Sequence, residues 1–443
     1  MCEPLPVNIE LVTSGQAGLE GVHELLHRSG RRSLHVALQG MLGSNRRLRS
    51  SRLTRTHFKP GRKLATYYEL FVDDVADAFP VAVTWFCGRG PLDERLPATE
   101  TALRETIQTP FDQLWSSHAG GSVVVLAAPL DPVFPSLPGL VDPSRVPQQL
   151  SDGEHSETPR FVRYRPGQRH VLEYRNGGPS QFAKLYRPGE SRAVADAVTA
   201  FADLVGHAAV HGVHVVRPAA FLDDVDVLVY SGLSGVPLSQ RLKAGRAIDI
   251  ERMKCVGNWL HAVHSVPGTA APQLGERDLQ SHLRAVYRAG EAMRGLAPQL
   301  WGVAERLIEN GARQLDRLDA EDATLVHGDI KADHLLAGPD GVTVLDTDRC
   351  ARADPALDVG KLIADLRWWA WATGRPHFGR AESALLAGYG SDGSRLERAR
   401  LYAALWLVKI AARRVSVAWR DWAQMTAEVL AQADVLLRPA ESA

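Results

Sequence analysis

The stretch from Leu325 to Cys350 reads LVHGDIKADHLLAGPDGVTVLDTDRC, and it decides the fold. Two short apolar runs rich in β-branched residues, 324–326 and 342–345, bracket a polar segment and a second apolar pair, Leu335 and Leu336. A Pro-Asp-Gly turn at 339–341 precedes the second run. Turn residues between β-prone runs indicate strands joined by tight connections. The pattern therefore predicts a polar loop held between strands.

The residues of this loop match the needs of phosphoryl transfer. That reaction asks for a carboxylate to accept the nucleophile's proton, ligands for a metal ion and a cation near the moving phosphoryl group. Asp329 and Lys331 lie in the loop, and the strand after the turn ends on Asp346, with Asp348 two residues later. The stretch thus offers each required group.

The two motifs also resemble a known superfamily. HGDIKADH resembles the catalytic loop H-x-D-x-x-x-x-N of the protein-kinase-like fold, in the H-G-D form typical of the aminoglycoside phosphotransferase and choline kinase superfamily. VLDTD resembles the strand end that carries the metal-binding aspartate. The resemblance implies that Asp329 is the catalytic base, that Lys331 contacts the transferred phosphoryl group and that Asp346 binds Mg²⁺. It also implies that Asp358, in the run DPALDVG, braces the loop.

One position departs from the superfamily pattern. Five residues after Asp329 the pattern has asparagine as the second metal ligand, whereas this chain has His334. Imidazole is a poorer ligand for Mg²⁺ than an oxygen donor and suits Mn²⁺ better. The second ligand is therefore either His334 or a nearby carboxylate, Asp333 or Asp348.

Composition excludes several function classes. Lysine plus arginine and aspartate plus glutamate both number 51, so the formal net charge is zero. This balance predicts neither a nucleic-acid partner nor a membrane-surface partner. The four cysteines are far apart without C-x-x-C spacing, and no apolar run approaches membrane-spanning length. We expect a cytoplasmic protein without a zinc site or a disulfide framework.

The sequence contains two similar stretches, 52–90 and 161–189. Each places a Pro-Gly turn (Pro60-Gly61 and Pro166-Gly167) between two strand-like runs, followed by a third run, a helical segment and a β-branched run. We interpret this as a degenerate internal repeat of a three-stranded meander plus helix. The alternative is two unrelated hairpins that share a common turn dipeptide.

Only the second stretch has the residues for a nucleotide site. Lys184 occupies its third strand, where kinases place the lysine that holds the α- and β-phosphates, whereas the matching position in the first stretch is about Thr84. The partner of Lys184 is expected on the following helix, with Asp196 favoured over Glu190.

Two backbone segments complete the expected nucleotide site. The turn at Gly167 lies where the glycine-rich phosphate loop of the superfamily would lie. The strand that contains Val229 and Tyr230 resembles the hinge, so the backbone near Val229–Ser231 is expected to hydrogen-bond the adenine. Taken alone, the turn with its single glycine is more typical of an ordinary hairpin turn. The apolar run is equally typical of an ordinary edge strand.

The remaining segments are assigned from periodicity. VNIELVTS near the N-terminus predicts a strand, and helices are expected at 250–267, 279–293, 298–318, 356–372, 380–390 and 394–437. Asp365 is interpreted as a solvated helical residue, with a substrate-cation contact as the alternative. Arg413, Arg414 and Arg420 are likewise assigned to a solvated helical face, with an acidic-substrate contact as the alternative.

These observations predict an α+β, bilobal protein-kinase-like fold. The expected units are an N-terminal cap (1–150), as in some maltokinase-like members, a nucleotide-binding lobe (160–232) and a helical lobe (233–443). The implied function is ATP-dependent phosphorylation of a hydroxyl on a small molecule, such as a sugar, an aminoglycoside or another natural product. ATP and Mg²⁺, or Mn²⁺, would be the cofactors. A catalytically silent nucleotide-binding module and a peptide Ser/Thr kinase are the alternatives.

Overall fold

The N-terminal unit is built around a five-stranded antiparallel sheet. The computed structural model describes residues 8–75, 77–150, 158–175, 178–207, 212–390 and 393–438. The cap elements are α1 (Ile9–Ser14), α2 (Gly18–His27), α3 (Ser29–Met41), β1 (Leu48–Lys59), β2 (Lys63–Val72), β3 (Phe79–Phe86), α4 (Leu96–Arg104), β4 (Trp115–His118) and β5 (Val123–Ala127). The strand order is β1-β2-β3-β5-β4. Alternating burial along β3 and β5 places Val81, Val83 and Val125 in the core.

The first element of the cap corrects a prediction. VNIELVTS suggested a strand, but Ile9–Ser14 forms a helix. The side chain of Asn8 accepts a hydrogen bond from the backbone N–H of Leu11, which is the geometry of a helix N-cap. The apolar residues Ile9 and Val12 are three positions apart and both face the core, so the helical period wins over β propensity.

A second five-stranded sheet forms the nucleotide lobe. After a short helix α5 (Leu137–Val141), the elements are β6 (Arg160–Arg163), β7 (His170–Tyr174), β8 (Gln181–Leu185), α6 (Ser191–His207), β9 (Val213–Val215), β10 (Ala220–Leu222) and β11 (Val227–Ser231). The strand order is β6-β7-β8-β11-β10, which repeats the order of the cap sheet, strand for strand. In both sheets a helix follows the third strand.

The residue pairing extends this likeness to individual positions. Lys184 in β8 lies opposite Val171, four residues after Gly167. Thr84 in β3 lies opposite Ala65, four residues after Gly61. The two sheets therefore place Thr84 and Lys184 at the same register position.

The third unit is mainly helical and contains two small sheets. Its elements are β12 (Val236–Pro237), α7 (Leu238–Arg241), α8 (Ala247–His264), β13 (Glu276–Arg277), α9 (Leu279–Ala289), α10 (Glu291–Leu296), α11 (Pro298–Arg317), β14 (Thr324–Val326), β15 (Leu335–Gly338), β16 (Gly341–Val344), β17 (Ala351–Ala353), α12 (Ala356–Thr373), α13 (His377–Tyr389), α14 (Gly393–Arg414) and α15 (Trp422–Leu437). The sheets are β12-β15-β16-β9 and β13-β17-β14. Strand β9 leaves the nucleotide lobe and pairs in parallel with β16, the strand that leads to Asp346.

Two predicted helices are divided in the structure. The segment 279–293 forms α9 and α10, which meet at Gly290. The segment 394–437 forms α14 and α15, because the helix ends at Arg414, just before the run Val415-Ser416-Val417. β-Branched residues and serine have low helix propensity, and the cap contacts the freed backbone through His23, which hydrogen-bonds the carbonyl oxygen of Val417.

One continuous hydrophobic core joins the three units. The same cluster of buried side chains extends from Ile9 and Trp85 in the cap, through Leu172 in the nucleotide lobe, to Trp259 and Leu437 in the helical unit. The cap is therefore packed onto the other units over apolar surface. Among the described residues, none of the helices is long and apolar enough to cross a membrane.

Candidate active site

Two buried carboxylates of α12 hold the polar loop that follows β14. Asp358 is fully buried, and its two oxygens accept hydrogen bonds from the backbone N–H groups of His327 (2.6 Å) and Gly328 (2.9 Å). Seven residues later, Asp365 accepts a 2.8 Å hydrogen bond from the N–H of Ala332. Seven residues make about two helical turns, so both carboxylates face the loop. The bracing role expected of Asp358 is thus seen in the structure.

Asp365 corrects the sequence interpretation. It was assigned to solvent, but it is fully buried and its second oxygen accepts a hydrogen bond from the guanidinium of Arg414. A buried carboxylate needs such partners, because removing an unpaired charge from water is costly. Arg414, also assigned to solvent, therefore serves to neutralise the residue that holds the loop.

Gly328 is required by the close approach of two loops. Its φ is +77°, and a Cβ atom there would lie 2.0 Å from the carbonyl oxygen of Arg349. A side chain at this position would push the loop away from the segment that follows Asp346. The H-G-D form of the motif thus has a local steric cause.

Asp329 is ionised at neutral pH. Burial alone would raise the pKa of its carboxyl, but the positive charges of Lys361 and Lys331 lower that pKa to about 2. The neighbouring His327 is fixed in one tautomer: its Nδ1 accepts from the N–H of Asp329, and its Nε2 donates to the carbonyl oxygen of Leu345 at 3.0 Å. Asp329 can therefore accept a proton from a hydroxyl group placed beside it.

Lys184 reaches across the cleft from β8 to the strand end after β16. Its Nζ lies 2.6 Å from an oxygen of Asp346 and 2.6 Å from an oxygen of Asp348. The ammonium outweighs the effect of burial and holds the pKa of Asp346 well below its usual range. The structure thus brings together three predicted site residues from two units.

The expected pair between Lys184 and the following helix is not formed. Asp196 lies on α6 but is exposed, and Glu190, the second candidate, is also exposed. The ammonium of Lys184 forms ion pairs with Asp346 and Asp348 instead. Helical periodicity placed Asp196 on the right element, but it did not reveal which face of α6 packs against β8.

Asp346 and His334 are the residues that fit a metal ion best. The side-chain nitrogen Nδ1 of His334 lies 3.1 Å from the carbonyl oxygen of Asp329, which can only accept, so we assign the ring proton to Nδ1. Burial, reinforced by Lys331, lowers the pKa of His334 to about 3, so the ring is neutral at pH 7. The lone pair of Nε2 then points at an oxygen of Asp346, 3.2 Å away. At this separation, Nε2 of His334 and the carboxylate oxygen of Asp346 can both coordinate one cation.

Asp348 does not join this pair. Besides Lys184, it accepts hydrogen bonds from Arg169 and from the hydroxyl of Tyr186. Over the residues that the structure describes, no three His, Cys, Asp or Glu side chains are grouped closely enough to hold a metal ion. Asp333, the other carboxylate considered, accepts a hydrogen bond from Ser239. A metal would therefore have Asp346 and His334 as protein ligands.

The turn at Gly167 is closed by a residue that sequence reasoning missed. Its N–H, expected to face phosphate, donates to an oxygen of Asp131 at 2.7 Å, and His170 lies 2.9 Å from the same oxygen. Asp131 is buried and comes from the linker between the cap and the nucleotide lobe. The N–H of Gly167 therefore has a partner within the protein, and the assignment of Gly167 to phosphate binding stays a prediction. Nothing in the sequence around Asp131 resembles a motif, so no signal marked it.

The strand pairing indicates which residue of the expected hinge can contact the adenine. Val229 and Tyr230 both lie in β11, but the carbonyl of Val229 accepts from the N–H of Ala219, and Tyr230 pairs with Phe182 of β8. Backbone groups of alternate residues in a strand face alternate neighbours. Ser231, the last residue of the expected range, therefore presents its backbone on the side where β10 has already ended, and it is the candidate contact for adenine.

The combined features define a class of protein: a bilobal, kinase-like phosphotransferase in which a β-sheet lobe and a helical lobe face each other across the Lys184–Asp346 pair. The family model described as the phosphotransferase enzyme family matches residues 167–396, just over half of the chain. The chain therefore belongs to this family, as its H-G-D motif indicated.

Solved structures with significant similarity give more distant likenesses. One is an aminoglycoside phosphotransferase in complex with GDP and kanamycin, at 14% identity over 64% of this chain and 95% of that chain, with a TM-score of 0.47. Another is a spectinomycin phosphotransferase with ADP and spectinomycin, at 14% identity over 64% and 93%, with a TM-score of 0.45. A third is a choline/ethanolamine kinase family protein from Mesorhizobium loti, at 13% identity over 65% and 90%, with a TM-score of 0.44. No curated protein matches significantly.

Proposed function

We propose that this phosphotransferase moves the γ-phosphoryl group of ATP to a hydroxyl of a small molecule. The observation that carries the proposal is the loop braced by Asp358 and Asp365. This loop holds Asp329 and, through His334, meets the Lys184–Asp346–Asp348 group. In the proposed reaction, Asp329 accepts the hydroxyl proton while the hydroxyl oxygen bonds to the γ-phosphorus. The bond from that phosphorus to the β–γ bridging oxygen breaks, and ADP leaves with the electron pair.

The remaining residues position and neutralise the phosphates. Lys184 aligns the α- and β-phosphates, and Lys331 offsets charge on the γ-phosphoryl oxygens during transfer. The backbone of Ser231 is available to the adenine. Asp346 and His334 would hold Mg²⁺ or Mn²⁺, which when bound neutralises negative charge on the phosphate oxygens.

The proposal is tested by direct detection of a phosphorylated product. The purified protein would be incubated with ATP, Mg²⁺ and single acceptors from three classes: sugars, sugar acids and aminoglycosides. A phosphate monoester seen by mass spectrometry, formed together with stoichiometric ADP, is the expected result. ADP formed without any phosphorylated acceptor would mean hydrolysis and would contradict transfer to a small molecule.

A catalytically silent nucleotide-binding module remains the second candidate, because one observation favours it. The ammonium of Lys184 lies between the two carboxylates, and the N–H of Gly167 is already satisfied by Asp131. ATP must therefore exchange ion pairs before its phosphates reach Lys184. Nucleotide binding without any turnover, across the same acceptor classes, would favour this candidate over the enzyme.

A further inference from the structure

A group of positively charged side chains lies near Asp329, the proposed base. We call it the basic cluster, and it consists of Arg55, Arg349, Lys361, Lys409 and Arg413. Arg349 and Lys361 act electrostatically on Asp329, and Asp329 acts on Lys409 and Arg413. Arg55 joins this group through Arg413, on which it acts. Four cations therefore lie around the carboxylate that is proposed as the base, with Arg55 beside them.

The described residues of the basic cluster form no ion pairs, although Asp329 and Asp365 both act electrostatically on Lys361. Within the described parts of the chain, none of its five side chains forms an ion pair, and Asp329 is the one carboxylate that acts on both Lys409 and Arg413. The contrast with neighbours on α14 is direct: Arg398 is paired with Asp354, and Arg414 with Asp365. The same helix thus pairs the arginines that face the interior and leaves unpaired the cations that face the cleft.

Two of these cations are costly to hold in the folded protein. Lys361 is only 3% exposed, and the ring of Trp406 lies between it and Lys409, with distances of 4.8 and 4.1 Å to the ring centroid. Burial, with neighbouring positive charges, lowers the pKa of Lys361 to about 8 and that of Lys409 to about 7. Uncompensated charges of one sign in a cleft indicate a site for a ligand of the opposite sign.

The cap contacts the segment that follows α14, next to the basic cluster. The hydroxyl of Thr56 on β1 lies 2.9 Å from the hydroxyl of Ser416, just beyond the end of α14. His27 of α2 hydrogen-bonds the carbonyl oxygen of Ala418 at 2.7 Å. These contacts bring Arg55, the residue before Thr56, close to Arg413, on which it acts electrostatically.

The nucleotide lobe contributes its own cations, and Arg55 links them to the basic cluster, since it acts on Arg163 as well as on Arg413. Lys184 and Arg169 both contact Asp348 in the nucleotide lobe, and Arg163 acts on Asp346 and Asp348. The basic cluster instead surrounds Asp329, where the acceptor hydroxyl must lie. A cationic aminoglycoside at this position would meet the guanidinium groups of Arg349 and Arg413, which carry the same sign of charge.

We propose that the acceptor is an anion, a hydroxylated small molecule whose carboxylate or phosphate group binds Arg349, Arg413 and Lys409, with Arg55 of the cap beside it. This proposal rests on the proposed function, since Asp329 must be the base for the cluster to lie on the acceptor side. It also revises the sequence interpretation of Arg413, which was assigned to a solvated helical face. Planar guanidinium groups suit both oxyanions, because each presents a fork of N–H donors.

The test separates anion binding from nucleotide binding. The wild-type protein is first saturated with a non-hydrolysable ATP analogue and Mg²⁺, and a rise in melting temperature shows that the nucleotide site is filled. Absence of that rise would count against the proposed function and would be seen before any anion is added. D-gluconate, D-glucose 6-phosphate and sulfate are then titrated at constant ionic strength, with D-glucose and kanamycin as neutral and cationic comparisons.

The expected result is a saturable further rise with the anions and none with D-glucose or kanamycin. A preference between D-gluconate and D-glucose 6-phosphate identifies the group as a carboxylate or a phosphate. The double variant Arg349→Gln/Arg413→Gln should bind the same anions at least ten-fold more weakly. Both side chains are exposed, so the variant is expected to fold, and Arg413→Gln alone should show a smaller loss of the same kind.

Arg420→Gln is the matched control. Arg420 is an exposed arginine seven residues beyond Arg413 and lies outside the basic cluster, so its variant should bind anions as the wild type does. Equal anion binding by the double variant, or no saturable binding of any of the three anions by the nucleotide-loaded wild type, would overturn the proposal. A stronger response to kanamycin or D-glucose would overturn it as well.

Discussion

The cap sheet and the nucleotide-lobe sheet have the same architecture and different chemistry. Both run in the order of a three-stranded meander, a helix and two further strands, and both begin with a Pro-Gly turn whose glycine has a positive φ, +72° at Gly61 and +68° at Gly167. At the shared register position, one sheet carries Thr84 and the other Lys184. The comparison teaches that the shared strand order creates the same register position in both sheets. A phosphate site at that position also needs a cation there, as Lys184 provides.

The partners of the two sheets differ as well. The nucleotide-lobe sheet contacts the acidic strand end through Lys184, whereas the cap contacts the region after α14 through Thr56 and His27. The two units therefore meet the helical unit at different segments, the end of β16 and the segment after α14. We infer that the cap repeats the nucleotide lobe in strand order and contributes Arg55 beside the basic cluster.

The largest effect is expected from Asp329→Ala, which removes the reaction's base and leaves both sheets intact. Phosphoryl transfer should fall by about a thousand-fold or more, because general-base groups contribute on that order. ATP affinity should stay nearly unchanged, since the base acts on the acceptor. Product formation and ATP binding would be measured on the same sample. Near-full activity would remove Asp329 from the mechanism.

The next effect tests the comparison of the sheets directly. Lys184→Ala should weaken ATP binding or transfer by roughly a hundred-fold, as expected when a charge on the phosphates is lost. Thr84→Ala, at the same register position of the cap, should change neither. Displacement of a fluorescent ATP analogue would measure both variants. An equal loss in both would mean that the cap also binds nucleotide, and the comparison would fail.

His334→Asn restores the oxygen donor of the superfamily pattern. If His334 is a metal ligand, the variant's turnover with Mg²⁺ should equal that of the wild type or exceed it by up to about ten-fold. Its turnover with Mn²⁺ should decrease. Turnover at increasing concentrations of each metal would show this. Complete loss of activity in a folded variant would instead mean that His334 has a role which asparagine cannot fill.

The smallest effect concerns stability. The folded-state pKa of Lys409 is lowered to about 7, so the unfolded chain binds more protons between pH 7 and the ordinary lysine pKa. Burial of the charged Lys409 side chain therefore lowers the free energy of unfolding by its full amount below pH 7. This destabilisation decreases as the pH rises above 7. Lys409→Met should stabilise the protein at pH 6, on the order of 1 kcal/mol, and less at pH 9.

Thermal unfolding of this variant at the two pH values provides the check. Lys254→Met, on exposed surface, is the control and should show no such difference. Groups that face Lys409 are Arg413, Lys361, Arg349 and Asp329, so the variant should also weaken anion binding. Destabilisation at pH 6 would contradict an uncompensated charge at this position.

Local motifs made the grouping of the candidate site residues predictable. The positions of Asp329, Lys331, His334 and Asp346 follow from one loop and one strand end, and contiguous sequence fixes their spacing. The position of Lys184 was predictable for a similar reason, because the register of a meander depends on nearby turns. The roles of these residues in phosphoryl transfer stay predictions. Thr84 and Lys184 occupy the matching positions that the two stretches indicated.

Contacts between distant segments were not predictable in this way. Asp131 closes the Gly167 turn from 36 residues away, and Arg414 neutralises Asp365 from 49 residues away. Arg55 and Arg413 come from different units. From the sequence alone, a carboxylate or an arginine on a helix is expected to be solvent-exposed. Only the packing of the helices and strands shows whether the side chain is buried or faces a cleft. The Asp196 and Asp365 assignments failed for this reason.

The central claim is a metal-dependent nucleotide site that serves Asp329, and thermal unfolding with ATP or GTP tests it most directly. Each nucleotide would be added with and without Mg²⁺ or Mn²⁺. At a nucleotide concentration of about 100 times the dissociation constant, binding adds about 2.7 kcal/mol to the free energy of unfolding. We predict a rise of melting temperature that requires the metal. No rise with any combination, in a folded sample, would contradict the account.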